Sequence, residues 1–158
     1  MDSISKGYIG SILVEKSFIL NNFNIFKPVT ENGKVDLIVE KNNIYLKLQI
    51  KTVQIDRGNK IIPVRKVSHN MGNYKVTTYS SSIIDYFVGV DLDTEDLYII
   101  PSKISEQYKS SISISKVEIY RNNFNLLEPY IRNDISGHDK FGETLASKVD
   151  GNPEVVSL

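Results

Sequence analysis

The sequence contains no cysteine, no tryptophan and only two histidines among its 158 residues. The absence of cysteine excludes disulfides and thiolate zinc sites, and we expect such a chain in the reducing cytoplasm. Two histidines also argue against a zinc finger. No apolar run approaches the roughly 20 residues that a membrane-spanning helix needs, so we expect no membrane partner.

Charge is balanced over the whole chain but not along it. Lysine and arginine together number 19, as do aspartate and glutamate, so the total charge gives no sign of a polyanionic partner. Residues 51–75 nevertheless hold six basic residues against Asp56 alone, a net charge of +5, which leaves −5 for the rest of the chain. Such segregation is typical of nucleic-acid binding through one basic face, with a solvated loop as the alternative.

The stretch from residue 33 to residue 53 alternates apolar and polar residues on both sides of the pair Asn42-Asn43. This pattern predicts a β-hairpin with a two-residue turn, since asparagine tolerates the positive φ angles of such a turn. The numbers of paired residues then add to 85. Asp36 is therefore predicted to lie opposite Gln49.

The two faces of this predicted hairpin differ in chemistry, because side chains alternate between the faces of a strand. One face is aliphatic and is predicted to be core; it comprises Val35, Leu37, Val39, Leu46, Leu48 and Ile50. The other face carries Asp36, Gln49 and Lys51 at the end of the hairpin far from the turn. An acid, an amide and an ammonium at one place indicate a functional site.

Val35-Asp36 followed by Gln49-Ile50-Lys51 resembles the signature of the PD-(D/E)XK nucleases. Residues 6–10, Lys-Gly-Tyr-Ile-Gly, are similar to the first helix of related resolvases and restriction-type nucleases. Valine in place of the signature proline is chemically silent, but an amide in place of the second acid is not. In size and in these motifs the chain is similar to the group I intron homing endonucleases of cyanobacteria.

The resemblance implies a Mg²⁺-dependent, site-specific endonuclease that cuts double-stranded DNA, with Mn²⁺ as the alternative cation. It implies four catalytic residues: Glu15, Asp36, Gln49 and Lys51. The cation is expected to bind Glu15, Asp36, the Gln49 amide oxygen and the Ile50 backbone carbonyl, an all-oxygen set that suits Mg²⁺. Glu15 is included because related nucleases carry a glutamate on the helix before the hairpin. Lys51 is expected to orient or deprotonate the attacking water, or to offset charge on the phosphate.

Two other functions remain open at this point. One is a nuclease of the Holliday junction resolvase type, which shares these motifs and recognises the shape of a junction. The other is a DNA-binding or assembly protein that has lost catalysis, with Gln49 as the mark of that loss. Cutting of a supercoiled plasmid in a metal titration distinguishes the enzymes from the inactive binder.

The remaining pattern predicts an α+β fold with a restriction-endonuclease-like core, in which helices flank a mixed β-sheet. A first helix is expected to begin near Asp2 or Ser3, and its apolar residues recur at a spacing of three and four. They are Ile9, Ile12, Leu13, Ile19, Leu20 and Phe23. Residues 54–80 are predicted to form an inserted β-ribbon. Residues 1–132 would then form the nuclease core, and residues 133–158 a C-terminal extension.

Double-stranded DNA is the expected partner, since a two-stranded ribbon fits the major groove. The residues expected to contact it lie in the predicted ribbon: Arg57, Lys60, Arg65, Lys66, Asn70 and Lys75. A homo-oligomer with an even number of subunits is also expected, because one small domain offers one site and cutting two strands needs two. A tetramer is somewhat favoured over a dimer, because further copies would lengthen the DNA footprint.

Overall fold

The computed structural model describes residues 1–30, 33–70 and 73–127, and for residues 66–70, 73–75 and 77 it describes the backbone alone. The chain divides into two units, Met1–Phe124 and Asn125–Leu158. The domain boundary predicted at residue 132 and the predicted extension over residues 133–158 lie outside the described residues. Within the described residues, no helix is long and apolar enough to cross a bilayer.

The described residues form helices and strands in a mixed order along the chain. The helices are α1 (Ser3–Leu20) and α2 (Ser102–Ser105), and the strands are β1 (Asn24–Phe26), β2 (Leu37–Lys41), β3 (Ile44–Thr52), β4 (Gln54–Asp56), β5 (Asn59–Pro63), β6 (Arg65–Asn70), β7 (Asn73–Thr78), β8 (Tyr86–Val90), β9 (Leu97–Pro101) and β10 (Ser111–Ser113). Three short 3₁₀ turns follow, at Ile114–Lys116, Glu118–Tyr120 and Phe124–Leu126.

The main sheet has the strand order β1-β2-β3-β8-β9. Strands β3 and β8 run parallel, and the other neighbours run antiparallel. The β2–β3 hairpin turns at Asn42 and Asn43, whose φ angles are 56° and 65°. Leu37 pairs with Leu48, which confirms the predicted register. The mixed sheet of an α+β protein is therefore confirmed.

Helix α1 covers one face of this sheet. It begins at Ser3 and is capped by Asp2, whose side chain accepts a hydrogen bond of 2.9 Å from the backbone N–H of Ser5. A carboxylate at this position satisfies an N–H group that has no partner within the helix. The predicted start of the helix is thus confirmed.

The predicted apolar face of α1 is only partly confirmed. Phe23 is buried and Ile9 and Leu13 are half-buried, but Leu20 is exposed. The helix buries Gly10, Val14 and Phe18, while Ile12 and Ile19 are exposed. Gly10 explains the difference, because a Cβ atom there would come within 2.9 Å of the Thr52 side chain. The closest approach of helix and sheet is therefore at a glycine, which hydrophobic periodicity does not mark.

The other face of the sheet is covered by a second, three-stranded sheet of order β10-β5-β4, where flanking helices were predicted. The insert over residues 54–80 is therefore divided. Its first part packs on the core through Ile62 and Val64, which are buried. Contact is closest at Gly89, where an added Cβ would lie 2.4 Å from Ile62 Cδ1. Only β6 and β7 form a separate two-stranded sheet, called the ribbon below.

Candidate active site

The β2–β3 hairpin brings Asp36 and Gln49 into direct contact. The Gln49 amide nitrogen Nε2 donates to Asp36 Oδ2 over 2.5 Å, and the Ile50 backbone N–H donates to the same oxygen over 2.8 Å. The Asp36 N–H in turn donates to the Leu48 carbonyl over 2.8 Å. Hydrogen bonds to its main chain and to its carboxylate thus hold Asp36 in place directly before β2.

Gln49 is only 3% exposed, and its amide nitrogen and amide oxygen differ in their hydrogen bonding. Nε2 also donates to the Ile50 carbonyl oxygen over 3.3 Å. The oxygen Oε1 is buried and accepts no hydrogen bond within the part of the chain that the structure describes. Burying a polar atom without a partner costs about 1–3 kcal/mol, so Oε1 offsets part of what the Nε2 hydrogen bonds contribute.

Lys51 extends from the same face of β3 and lies beside an aromatic ring. Its Nζ is 5.7 Å from the centre of the Tyr79 ring, within the range of a cation–π contact. Tyr79 is 7% exposed, and its ring meets Phe87 edge to face with the centres 5.7 Å apart. Burial, and after it the negative charge of Asp36, raise the pKa of Tyr79 to about 12.

Glu15 is placed differently from the other predicted catalytic residues. Its carboxylate forms an ion pair with Lys27, with 2.8 Å between Oε1 and Nζ. Across residues 1–30, 33–70 and 73–127, no group of three or more histidines, aspartates and glutamates is arranged to hold a metal ion. The structure thus brings together Asp36, Gln49, Ile50 and Lys51, and it pairs Glu15 with a lysine.

A cavity of about 850 Å³ opens beside these residues. Asp36 and Lys51 line it, as do Lys60, Asp91 and Asp93. Lys60 Nζ lies 2.6 Å from Asp91 Oδ2 and 3.2 Å from Asp93 Oδ2. The hydrogen bond to Asp91 is the main reason that the pKa of Lys60 is raised.

The predicted DNA contacts lie at three places: the β4–β5 turn, the cavity and the ribbon. Arg57 is exposed in the turn between β4 and β5, with a φ angle of 47°, and Arg65 is exposed at the first residue of β6. Lys60 is the residue bound by two aspartates in the cavity. In the ribbon, Lys66 pairs with Thr77, Ser68 with Lys75, and Asn70 with Asn73.

The pairing of the ribbon assigns its basic residues to faces. Residues that pair directly share a face, and faces alternate along each strand. Lys66, Asn70 and Lys75 therefore belong to one face of the ribbon, and Arg65 belongs to the opposite face.

Sequence reasoning missed two residues of this site. Tyr79 was predicted only as part of the inserted ribbon over residues 54–80, and no local pattern shows that it packs in the core beside Lys51. Asp91 was given no functional role, although it is 3% exposed and bound to Lys60. An aspartate directly after the apolar run of residues 86–90 is the one sequence signal that could have indicated it.

Comparison with known proteins adds two findings. A family model described as PD-(D/E)XK endonuclease matches residues 1–130. The solved structure of a bacterial homing endonuclease, I-Ssp6803I, has a similar fold, with a TM-score of 0.76 and 20% sequence identity. The similarity covers 86% of this chain and 97% of that chain. No curated protein sequence matches.

Proposed function

Since the chain belongs to the PD-(D/E)XK endonuclease family and is therefore a DNA endonuclease, we propose that it makes Mg²⁺-dependent double-strand cuts at a specific site. The observation that carries the proposal is the contact between Asp36 and Gln49, with Lys51 two residues along the same strand face. The fold shared with a solved homing endonuclease supports a homing role.

The residues of the hairpin fit a hard cation. If the Gln49 amide makes a half-turn about its last bond, Oε1 takes the position of Nε2, beside Asp36 Oδ2 and the Ile50 carbonyl. Three oxygens then face one another without a proton between them, which a divalent cation stabilises. Oxygen ligands of this kind suit Mg²⁺, and Mn²⁺ as the alternative. The chemistry that the cation supplies when bound is stabilisation of charge developing on the phosphate.

Each residue of the site then has a separate role. Asp36, held by the Ile50 N–H, supplies the negative charge that the cation needs. Lys51 orients the attacking water and offsets charge on the phosphate in the transition state. Glu15 is the second acid of the proposed cation site, and it has to exchange its ion pair with Lys27 for that role.

The proposal for DNA binding rests on the basic residues of the ribbon and of the β4–β5 turn. Arg57 and Arg65 are exposed, and Lys66, Asn70 and Lys75 share one ribbon face. The ribbon would enter a groove of the duplex while the cavity holds the backbone to be cut. Cutting both strands of the DNA needs two active sites, and each chain has one β2–β3 hairpin. We therefore also propose a homo-oligomer with an even number of subunits, with a tetramer somewhat favoured over a dimer. We propose that it acts in the cytoplasm.

The test uses two lysines on the same strand face. Randomised duplex DNA is incubated with the protein and Mg²⁺, the cut ends are sequenced, and the recovered site is cloned into a plasmid. Lys51→Ala should bind this plasmid but cut it about two to four orders of magnitude more slowly. Lys47→Ala, four residues earlier on β3, should cut normally. Normal cutting by Lys51→Ala at saturating Mg²⁺ would contradict the assignment of the site.

The same experiment decides between the proposal and its two alternatives. A junction-resolving nuclease would cut an added four-way junction and leave the linear duplex intact. An inactive DNA-binding protein would leave every substrate intact at any Mg²⁺ or Mn²⁺ concentration.

A further inference from the structure

Tyr79 connects the ribbon with the β2–β3 hairpin. It is the residue directly after β7, so it ends the ribbon, and it is buried in the core between the two sheets. Its ring is fixed from the side by Phe87, with the ring planes at 66°. The face of a ring that is itself fixed in this way offers a defined place for a neighbouring cation.

The cation beside that ring is the Lys51 ammonium, 5.7 Å from its centre. A lysine side chain is a flexible four-carbon stem, and holding its ammonium at one place lowers its conformational entropy. The negative face of an aromatic ring attracts the ammonium and favours rotamers that keep it there. The hydroxyl stays protonated at neutral pH, because burial and the charge of Asp36 raise the pKa of Tyr79 to about 12.

We propose that Tyr79 is a positioning residue for DNA cleavage, whose ring holds the Lys51 ammonium at the phosphate to be cut. The inference rests on the proposed function, because it assumes that Lys51 acts in cleavage. It goes further in naming a residue outside the family signature and in stating that the ring, rather than the hydroxyl, does the positioning.

The ring and the hydroxyl are separated by two substitutions at position 79. Tyr79→Phe keeps the ring and should cut within about threefold of the natural rate. Tyr79→Leu removes the ring and should lower the single-turnover rate about three- to thirty-fold, the equivalent of one cation–π contact. The affinity for the plasmid should stay unchanged in both. The matched control is Phe18→Leu, which removes a buried ring on the opposite face of the sheet and should not change the rate.

A double-mutant cycle tests whether the ring acts through Lys51. In a Lys51→Ala background, Tyr79→Leu should have no further effect on the residual rate. An equal loss in both backgrounds, natural cutting by Tyr79→Leu, or a similar loss in Phe18→Leu would each overturn the inference. Normal cutting by Lys51→Ala alone would instead overturn the proposed function.

A second variant keeps the test decisive if Tyr79→Leu fails to fold. Phenylalanines with increasing numbers of ring fluorines, introduced at position 79, keep the shape of the ring while weakening the negative potential of its face. The cutting rate should fall as fluorines are added. A rate that does not respond to fluorination would overturn the inference.

Discussion

Replacing Gln49 by glutamate would restore the second acid of the family signature at a position that is only 3% exposed. The Gln49 amide nitrogen lies 2.5 Å from Asp36 Oδ2, so the new carboxylate would directly oppose an existing one. Without a cation, an attractive hydrogen bond becomes a repulsion between two negative groups. We therefore expect Gln49→Glu to be less stable than the natural chain in EDTA and to regain stability in Mg²⁺.

The size of the loss follows from the two ways in which the pair can respond. Two unit charges about 3 Å apart repel each other by about 5 kcal/mol at an effective dielectric constant of about 20. Alternatively, the two carboxylates share one bound proton, which avoids this repulsion. At pH 7, about 2.7 pH units above the ordinary pKa of glutamate, the proton costs about 1.36 kcal/mol per pH unit, or about 3–4 kcal/mol. Binding a proton costs less than the repulsion between two charges, so the pair binds a proton and we expect a loss of about 3–4 kcal/mol at pH 7.

The pH dependence of this loss has a definite sign. The carboxyl pKa in the folded variant lies above its value in the unfolded chain, so the folded state binds more protons. The destabilisation is therefore complete above the folded pKa and shrinks as the pH falls. It disappears once the unfolded chain is protonated as well, below about pH 4.

Thermal unfolding in EDTA and in Mg²⁺ measures both effects. At about 2–4 °C per kcal/mol for a chain of this size, the loss in EDTA corresponds to roughly 6–16 °C. Mg²⁺ at about 100 times its Kd should return about 2.7 kcal/mol. Gln107, exposed two residues after α2, offers the charge-matched control, and Gln107→Glu should unfold like the natural chain. A Gln49→Glu variant of natural stability in EDTA would refute the buried contact, and one that Mg²⁺ does not restore would refute the cation site.

Three further predictions concern DNA and assembly. Replacing Lys66 and Lys75 together by alanine should reduce the slope of log affinity against log salt by about 1.8, at about 0.9 per phosphate contact, and an unchanged slope would place the DNA elsewhere. Lys60→Ala should weaken DNA binding more at low salt than at high salt, because Asp91 and Asp93 then lie beside the DNA without a compensating positive charge. A filter-binding affinity equal to that of the natural chain would contradict this. Sedimentation at working concentration should give an even multiple of the chain mass, and a fully active monomer would contradict the proposed assembly.

The β2–β3 hairpin could be predicted from the sequence because its determinants are local. Two asparagines with positive φ fix the turn, and the turn fixes the pairing of Leu37 with Leu48. The contact between Asp36 and Gln49 then follows from counting residues. Strands β8 and β9 were predictable for a similar reason, since each is a short apolar run bounded by polar turns.

The features that the sequence did not predict depend on contacts between residues that are distant along the chain. Strand β10 pairs Ile112 with Ile62, fifty positions earlier, so no pattern within the insert shows that its first half joins a second sheet. The exposed apolar residues of α1 were assigned to the core because periodicity does not show where a glycine permits close approach. The placement of Tyr79 beside Lys51 requires the fold of the whole insert.

The ribbon begins and ends at buried residues. Val64 precedes it and is 6% exposed, and Tyr79 follows it and is 7% exposed. Among the strands that the structure describes, β6 and β7 pair only with each other. The ribbon is thus an exchangeable part, which a designer could replace by one of another sequence while leaving the pairing of the β2–β3 hairpin intact. Under the DNA contacts proposed above, a new target would require a new ribbon sequence between positions 64 and 79. Val64 and Tyr79 themselves would be kept, because they anchor the two ends of the ribbon in the core.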